Sequence, residues 1–173
     1  ALATGTRQIR TSKPSAALSC ANLDVEDCPY YLITRVSLAA TAVLKRGFAE
    51  AGLGFVRPAY LGSLVSLWQE DGLKVIDLGR RAGLEPSTMT GLLDRMERDG
   101  LVERRTDPAD RRVLKIFLTE SGVKARDTVV AIVDRTLAGI FSCVDEKEIE
   151  ALKALMRRVL VNLREEKIDE SSG

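Results

Sequence analysis

No histidine occurs anywhere in the 173 residues. That removes the commonest metal ligand and general base, and with them every Ser-His-Asp or Cys-His arrangement. Cysteine is scarce as well: Cys20, Cys28 and Cys143 are an odd number with no C-x-x-C spacing. Neither a disulfide framework nor a cysteine zinc site is expected, and a reducing cytoplasm is the default compartment. The phosphate-cradling loop G-x-x-x-x-G-K-[ST] is missing and no carboxylates cluster at metal-binding spacing, so the chain reads as no enzyme and as needing no metal or cofactor. No apolar run approaches the roughly 20 residues that cross a bilayer. The first 13 residues also lack the apolar stretch of a secretory signal. Nor does one sign of charge prevail: 26 basic residues face 25 acidic ones, so any surface for a polyanion must be local.

What is present is a globular balance of 45% hydrophobic and 29% charged residues, in a length suited to one domain with a substantial core. Residues 1–25 are rich in Ser, Thr and Ala with scattered Arg7, Arg10 and Lys13; without an apolar period they read as a flexible arm, free or packed on a partner subunit. From Pro29 to about Ala51, apolar residues at helical spacing (Leu32, Ile33, Val36, Ala40, Val43, Leu44) predict a long amphipathic helix. Pro58 opens a second helix carrying Leu61, Leu64, Val65 and Trp68, and Asp71-Gly72 ends it.

Next come a short helix from Asp77 to Ala82, a turn Gly83-Leu84-Glu85, and a helix from Pro86 to about Arg98. Two short helices joined by a three-residue turn with glycine is helix-turn-helix spacing. Met89, Leu92, Leu93 and Met96 bury one stripe of the second helix, while Ser87, Thr88, Thr90, Gly91 and Arg95 face the other way. A two-stranded hairpin follows, Leu101 to Arg105 and Arg111 to Leu118, with a charged tip. From Thr119 a helix runs to Phe141, and a last one carries Ile149, Leu152, Leu155, Met156, Val159, Leu160 and Leu163. The long outer helices hold more apolar surface than the central motif can cover, so a second copy of the chain is the expected cover. The class is mainly α (α+β). Residues 26–56 and 120–168 form a helical dimerisation region around a winged helix-turn-helix over 57–119.

The order helix, helix, hairpin has a physical logic on duplex DNA. The second helix fits the major groove, with Pro86, Ser87, Thr88, Thr90 and Arg95 placed for phosphates and base edges. Its free N-terminal N–H groups and positive dipole end favour phosphate. The hairpin sets Arg104, Arg105, Arg111, Arg112 and Lys115 against Asp107 and Asp110; an arginine at the tip suits a narrow minor groove. Alternatively Asp107 or Asp110 pairs with Arg111 and stiffens the loop.

The run Gly83-Leu84-Glu85-Pro86-Ser87-Thr88-Met89-Thr90, then Leu93-Asp94-Arg95-Met96-Glu97 and Gly100-Leu101-Val102-Glu103-Arg104, resembles the MarR family of bacterial regulators. So does Asp107-Pro108-Ala109-Asp110-Arg111-Arg112 with its closing Leu118-Thr119. The resemblance spans about residues 28 to 165. It implies a homodimer joined through its terminal helices, bound to a pseudo-palindromic operator as a repressor and released by a small ligand. Two departures stand out: Gly91 occupies a place where many members carry a polar or basic side chain, and the arm is longer than the family's usual leader.

Two switches fit. A small-molecule effector could reach Tyr30, Tyr31, Tyr60 and Trp68, although ordinary core packing is the competing role of each. Cys28, just before Pro29-Tyr30-Tyr31, stands where some members sense peroxides, and a helix N-terminus favours the reactive thiolate; an inert cysteine is the alternative. A winged helix that docks a protein partner instead of DNA is the reading from a different class.

Overall fold

The computed structural model describes residues 26–108 and 110–170, with side chains as far as Leu163; the expected arm over 1–25 lies outside the described residues. Along them run α1 (Pro29–Glu50), a single 3-10 turn (Pro58–Tyr60), α2 (Leu61–Gln69), β1 (Leu73–Lys74), α3 (Val75–Ala82) and α4 (Pro86–Arg98). β2 (Val102–Thr106), β3 (Leu114–Leu118), α5 (Glu120–Lys124), α6 (Arg126–Ile140) and α7 (Glu146–Glu170) complete the order. The chain divides into two compact units between Ala42 and Val43, inside α1.

In the first unit Cys28 is buried at the start of α1, whereas Tyr30, Tyr31, Ile33, Val36 and Leu38 are exposed. Cys28 is disulfide-bonded, and Cys143 is exposed and free. One bridge is less than the disulfide framework that the cysteine count argues against. An odd count rules out pairing every cysteine but leaves room for one bridge.

The second unit holds the core. Its centre is the face shared by Leu64 and Leu67 of α2, Leu78 of α3, and Met89, Leu92, Leu93 and Met96 of α4. Phe48, Val56, Val129 and Ile132 extend it. The stripe on α4 is the predicted one, because positions three and four apart fall on one side of a helix. Gly83 closes α3 in the left-handed region, φ 69°, and its N–H donates to the Arg80 carbonyl; that conformation is open to glycine without strain, and it turns the chain at once into α4.

The hairpin is longer-looped and better supported than its sequence suggested. β1 joins it to make a three-stranded antiparallel sheet in the order β1-β3-β2. Leu73 pairs with Ile116, and Val102, Arg104 and Thr106 pair with Leu118, Ile116 and Leu114. A two-residue strand is below what periodicity can detect. Arg111 and Arg112 belong to the connecting loop rather than to the return strand. The helix expected from Thr119 is two, α5 and α6, separated by Ala125.

Where the sheet meets α5 the backbone packs without slack. Thr119 caps α5, its Oγ1 accepting from Gly122 N at 3.0 Å and donating to the Gly100 carbonyl at 2.6 Å. Trp68 Nε1 donates to the Gly122 carbonyl at 3.0 Å. A Cβ on Gly122 would stand 2.1 Å from the Leu101 carbonyl oxygen, and a backbone atom has no rotamer by which to yield. Gly122→Ala is therefore expected to destabilise the fold by roughly 2 kcal/mol or more, the cost of overpacking a rigid contact. Thermal unfolding checks it: a midpoint several degrees lower is expected, and an unchanged midpoint would show that the contact yields freely.

Candidate nucleic-acid interface

α4 turns its apolar stripe inward and leaves Ser87, Thr88, Thr90, Asp94, Arg95 and Arg98 exposed. Pro86 occupies the first turn and no side chain caps the helix at Glu85, so the N–H groups at its start face outward. The Thr90 hydroxyl donates back to the Pro86 carbonyl at 3.0 Å; its proton is committed, and only its lone pairs are available outside. Ser87 and Thr88 are the free-standing short polar groups of the first turn.

Three carboxylates punctuate α4 or end it, and each is held from elsewhere. Arg104 of β2 donates to Asp94 at 2.6 Å and also to Glu97. Its side chain is only 22% exposed. Burial works against this guanidinium, but its bonds to Asp94 and Glu97 prevail and raise its pKa further. At the C-cap, Asp99 accepts from Tyr60 Oη at 2.6 Å and from Arg57 Nε at 3.2 Å. The Tyr60 bond holds the Asp99 carboxyl below its ordinary range, partial burial opposes that, and Arg57 adds to it. Burial, then the bond to Asp99, pushes the Tyr60 hydroxyl up.

The sequence placed Arg104 with the arginines that face DNA; the structure turns it onto α4 instead. The reason is strand alternation. Val102, Arg104 and Thr106 share one side of β2, the side on which Val102 and its neighbour Ile116 are buried. Glu103, Arg105, Lys115 and Phe117 lie on the other side. There Arg105 and Lys115 are cross-strand partners, a like-charge pair that would repel if bare. Arg105 pairs with Glu103 and lies 4.6 Å from the Phe117 ring centroid, and Lys115 pairs with Asp107 at 2.9 Å.

The tip of the hairpin is ordered by its aspartates, with partners other than the predicted Arg111. Asp107 N donates to the Val113 carbonyl at 2.9 Å and closes the loop, which brings its carboxylate to Lys115. Asp110 Oδ1 accepts from the backbone N of Arg112 at 3.0 Å and from its Nε at 3.3 Å. The Arg112 side chain remains 91% exposed, and Arg111 is exposed beside it. The wing thus presents two arginines at its tip and keeps its remaining cations for structure.

The four aromatic candidates for an effector site fall in different units of the chain. Tyr60 is fully buried and bonded to Asp99; Trp68 is bonded to the Gly122 carbonyl. Tyr30 and Tyr31 are exposed in the first unit, edge to face at 5.9 Å. Sequence reasoning missed the Tyr60–Asp99–Arg57 anchor, because its members lie 39 and 42 residues apart and no local spacing marks them. No cluster of His, Cys, Asp and Glu among the described residues could hold a metal, and no helix among them is long and apolar enough to cross a membrane.

A short helix, a glycine turn, an outward helix and a basic hairpin define a winged helix-turn-helix. The family model for MarR matches residues 61–114, from the start of α2 into β3. The HTH-type transcriptional regulator SarZ of Staphylococcus haemolyticus is 35% identical over 85 residues, which are 49% of this chain and 58% of SarZ. The organic hydroperoxide resistance transcriptional regulator of Bacillus subtilis is 32% identical over 113 residues, 65% of this chain and 75% of that protein. The crystal structure of CouR from Rhodococcus jostii RHA1, bound to p-coumaroyl-CoA, matches with a TM-score of 0.66 at 26% identity, covering 79% of this chain and 94% of CouR. The chain belongs to the MarR family.

The anchor at the end of α4 has a pH signature. A carboxyl whose folded pKa is depressed contributes stability above its ordinary range and loses it as pH falls through the folded value. Tyr60→Phe should cost about 1–2 kcal/mol at neutral pH, a hydrogen bond to a charged and mostly shielded group. The gap between variant and native protein should narrow in acid, below the ordinary carboxylate range. Denaturant titrations at neutral and acid pH check this, and a gap that is constant with pH would assign the loss to packing alone.

Proposed function

We propose that the chain is a homodimeric, sequence-specific DNA-binding regulator that represses transcription by occupying a pseudo-palindromic operator. The observation that carries this reading is the joint orientation of α4 and the wing. The carboxylates of α4 are paired with Arg104 and Arg57, and Asp99 also accepts from Tyr60, while Ser87, Thr88, Arg95, Arg111 and Arg112 are exposed. α4 enters a major groove with its N–H end toward phosphate, and the wing tip reaches the adjoining minor groove. Arg104 acts as a positioning residue that fixes the wing against α4.

Pairing of two copies is supported by unspent apolar surface. Leu152, Leu155, Val159 and Leu163 of α7 recur at helical spacing and are all more than a third exposed, as are the α1 residues named above. Burying such a stripe is worth about 25 cal/mol per Å², and two-fold symmetry then places half-sites on the order of 34–36 Å apart. An effector is expected to act by disturbing the set of α4 and wing. A cleft of about 420 Å³ lined by Lys74, Ile76, Thr90, Arg112 and Leu114, among others, lies there, and its apolar floor with cations at the rim suits an amphipathic anion.

Sedimentation of the purified protein and titration into duplex DNA over a range of salt test this together. A dimer is expected, with an affinity that falls steeply with salt as phosphate contacts release counterions. Arg111→Ala and Arg112→Ala should each reduce the salt slope by about 1. Arg104→Gln should weaken binding with the slope retained, since Arg104 meets no phosphate. A monomer indifferent to duplex DNA at low salt would defeat the reading and leave a protein-docking winged helix.

A second reading of the switch rests on Cys28, which is buried and disulfide-bonded at the start of α1. A thiol pair there would surrender two electrons and two protons to a hydroperoxide, forming the disulfide, an alcohol and water. Peroxide should then change operator affinity in the native protein and leave Cys28→Ser unaffected; release that persists in the variant removes Cys28 from the switch.

A further inference from the structure

We infer that Arg95 is the specificity-determining side chain of α4, and that Gly91 is the opening through which it reads a guanine in the major groove. This rests on the DNA-binding reading above and adds to it the identity of one base and of its reader.

Gly91 lies on the outward side of α4, one turn after Ser87 and one turn before Arg95. A Cβ placed on it would have a single neighbour within 4 Å outside the adjoining backbone, Arg95 Nη1 at 3.5 Å. Helical side chains lean toward the N-terminus and cover the turn before their own Cα. Arg95 does so, and its guanidinium rests over the bare backbone of Gly91. Although it is rooted in the third turn, its charged end therefore sits in the N-terminal half of the helix, level with the part that enters a groove. The residue that departs from the family's pattern leaves room for a longer one that starts four positions later.

The surrounding charges leave this guanidinium uncommitted. Asp94 and Glu97 are held by Arg104, and Asp99 by Tyr60 and Arg57. Among the described residues no carboxylate pairs with Arg95. An exposed arginine on a groove-facing helix, with its fork of donors unspent, matches the two acceptors O6 and N7 of guanine, and no other base offers that pair. A bulkier residue at position 91 would lift the guanidinium off the helix and out of register.

Selection from a random duplex library, followed by competition titrations with the native protein, Arg95→Ala, Arg95→Lys and Gly91→Gln, tests the assignment. The native protein is expected to prefer guanine at one position of each half-site by about 10- to 100-fold. Arg95→Ala and Arg95→Lys should both lose that preference and keep those at other positions, because lysine restores the charge without the two-pronged geometry. Gly91→Gln should lose it at the same position. Evenly weakened binding to all sequences by Arg95→Ala, with every preference intact, would make Arg95 a phosphate contact and overturn the inference, as would full retention of the preference by Arg95→Lys. Native protein that selects no duplex at all would defeat the DNA-binding reading itself, a distinct result.

Discussion

α4 carries its apolar stripe inward and its charges outward, and two cations and one hydroxyl from elsewhere in the fold control its acidic charges. Asp94 and Glu97 are drawn to Arg104, and Asp99 to Tyr60 and Arg57. Left bare, three carboxylates along and at the end of one short helix would give its outward face a negative field. Held from behind, they do two things at once. They tie α4 to the wing near its middle and to the turn before α2 at its end, and they leave Arg95 and Arg98 to set the sign of its outward face.

The same economy shapes the wing. Of its five cations, Arg104, Arg105, Arg112 and Lys115 are each paired with a carboxylate, and Asp110 also accepts from the backbone N of Arg112. Surface ion pairs of this kind contribute little stability individually. Their effect is orientation: each pair fixes a side chain of the ribbon in one direction, and Asp110 holds the Arg112 side chain at the tip. Packing supplies the rest, through the close approach of Gly122 to Leu101 and the cap at Thr119.

The segment before α2 and α2 itself are joined to α4 and α5 by hydrogen bonds. The loop after α1 leads into Arg57 and Tyr60, which grip the C-cap of α4, and Trp68 of α2 grips the start of α5 through the Gly122 carbonyl. The segment after α1 is thus joined to α4 by hydrogen bonds as well as by packing.

Periodicity, together with the positions of proline, glycine and charge, determined the helices α1, α2, α4 and α7, the buried stripe Met89-Leu92-Leu93-Met96, the glycine turn at Gly83 and the basic hairpin, because each is a matter of neighbours within a turn or across a short loop. It also determined which residues could be outside. It could not say which outside charges are free. That depended on strand register, which sends Arg104 inward beside Ile116, and on partners some 40 residues away, which engage Tyr60 with Asp99. The β1 strand, the partners of Asp107 and Asp110, and the bonded state of Cys28 likewise emerged only in three dimensions. Long-range pairing leaves no period in the chain, so the tertiary structure alone decided which arginines hold the fold and which remain for a ligand.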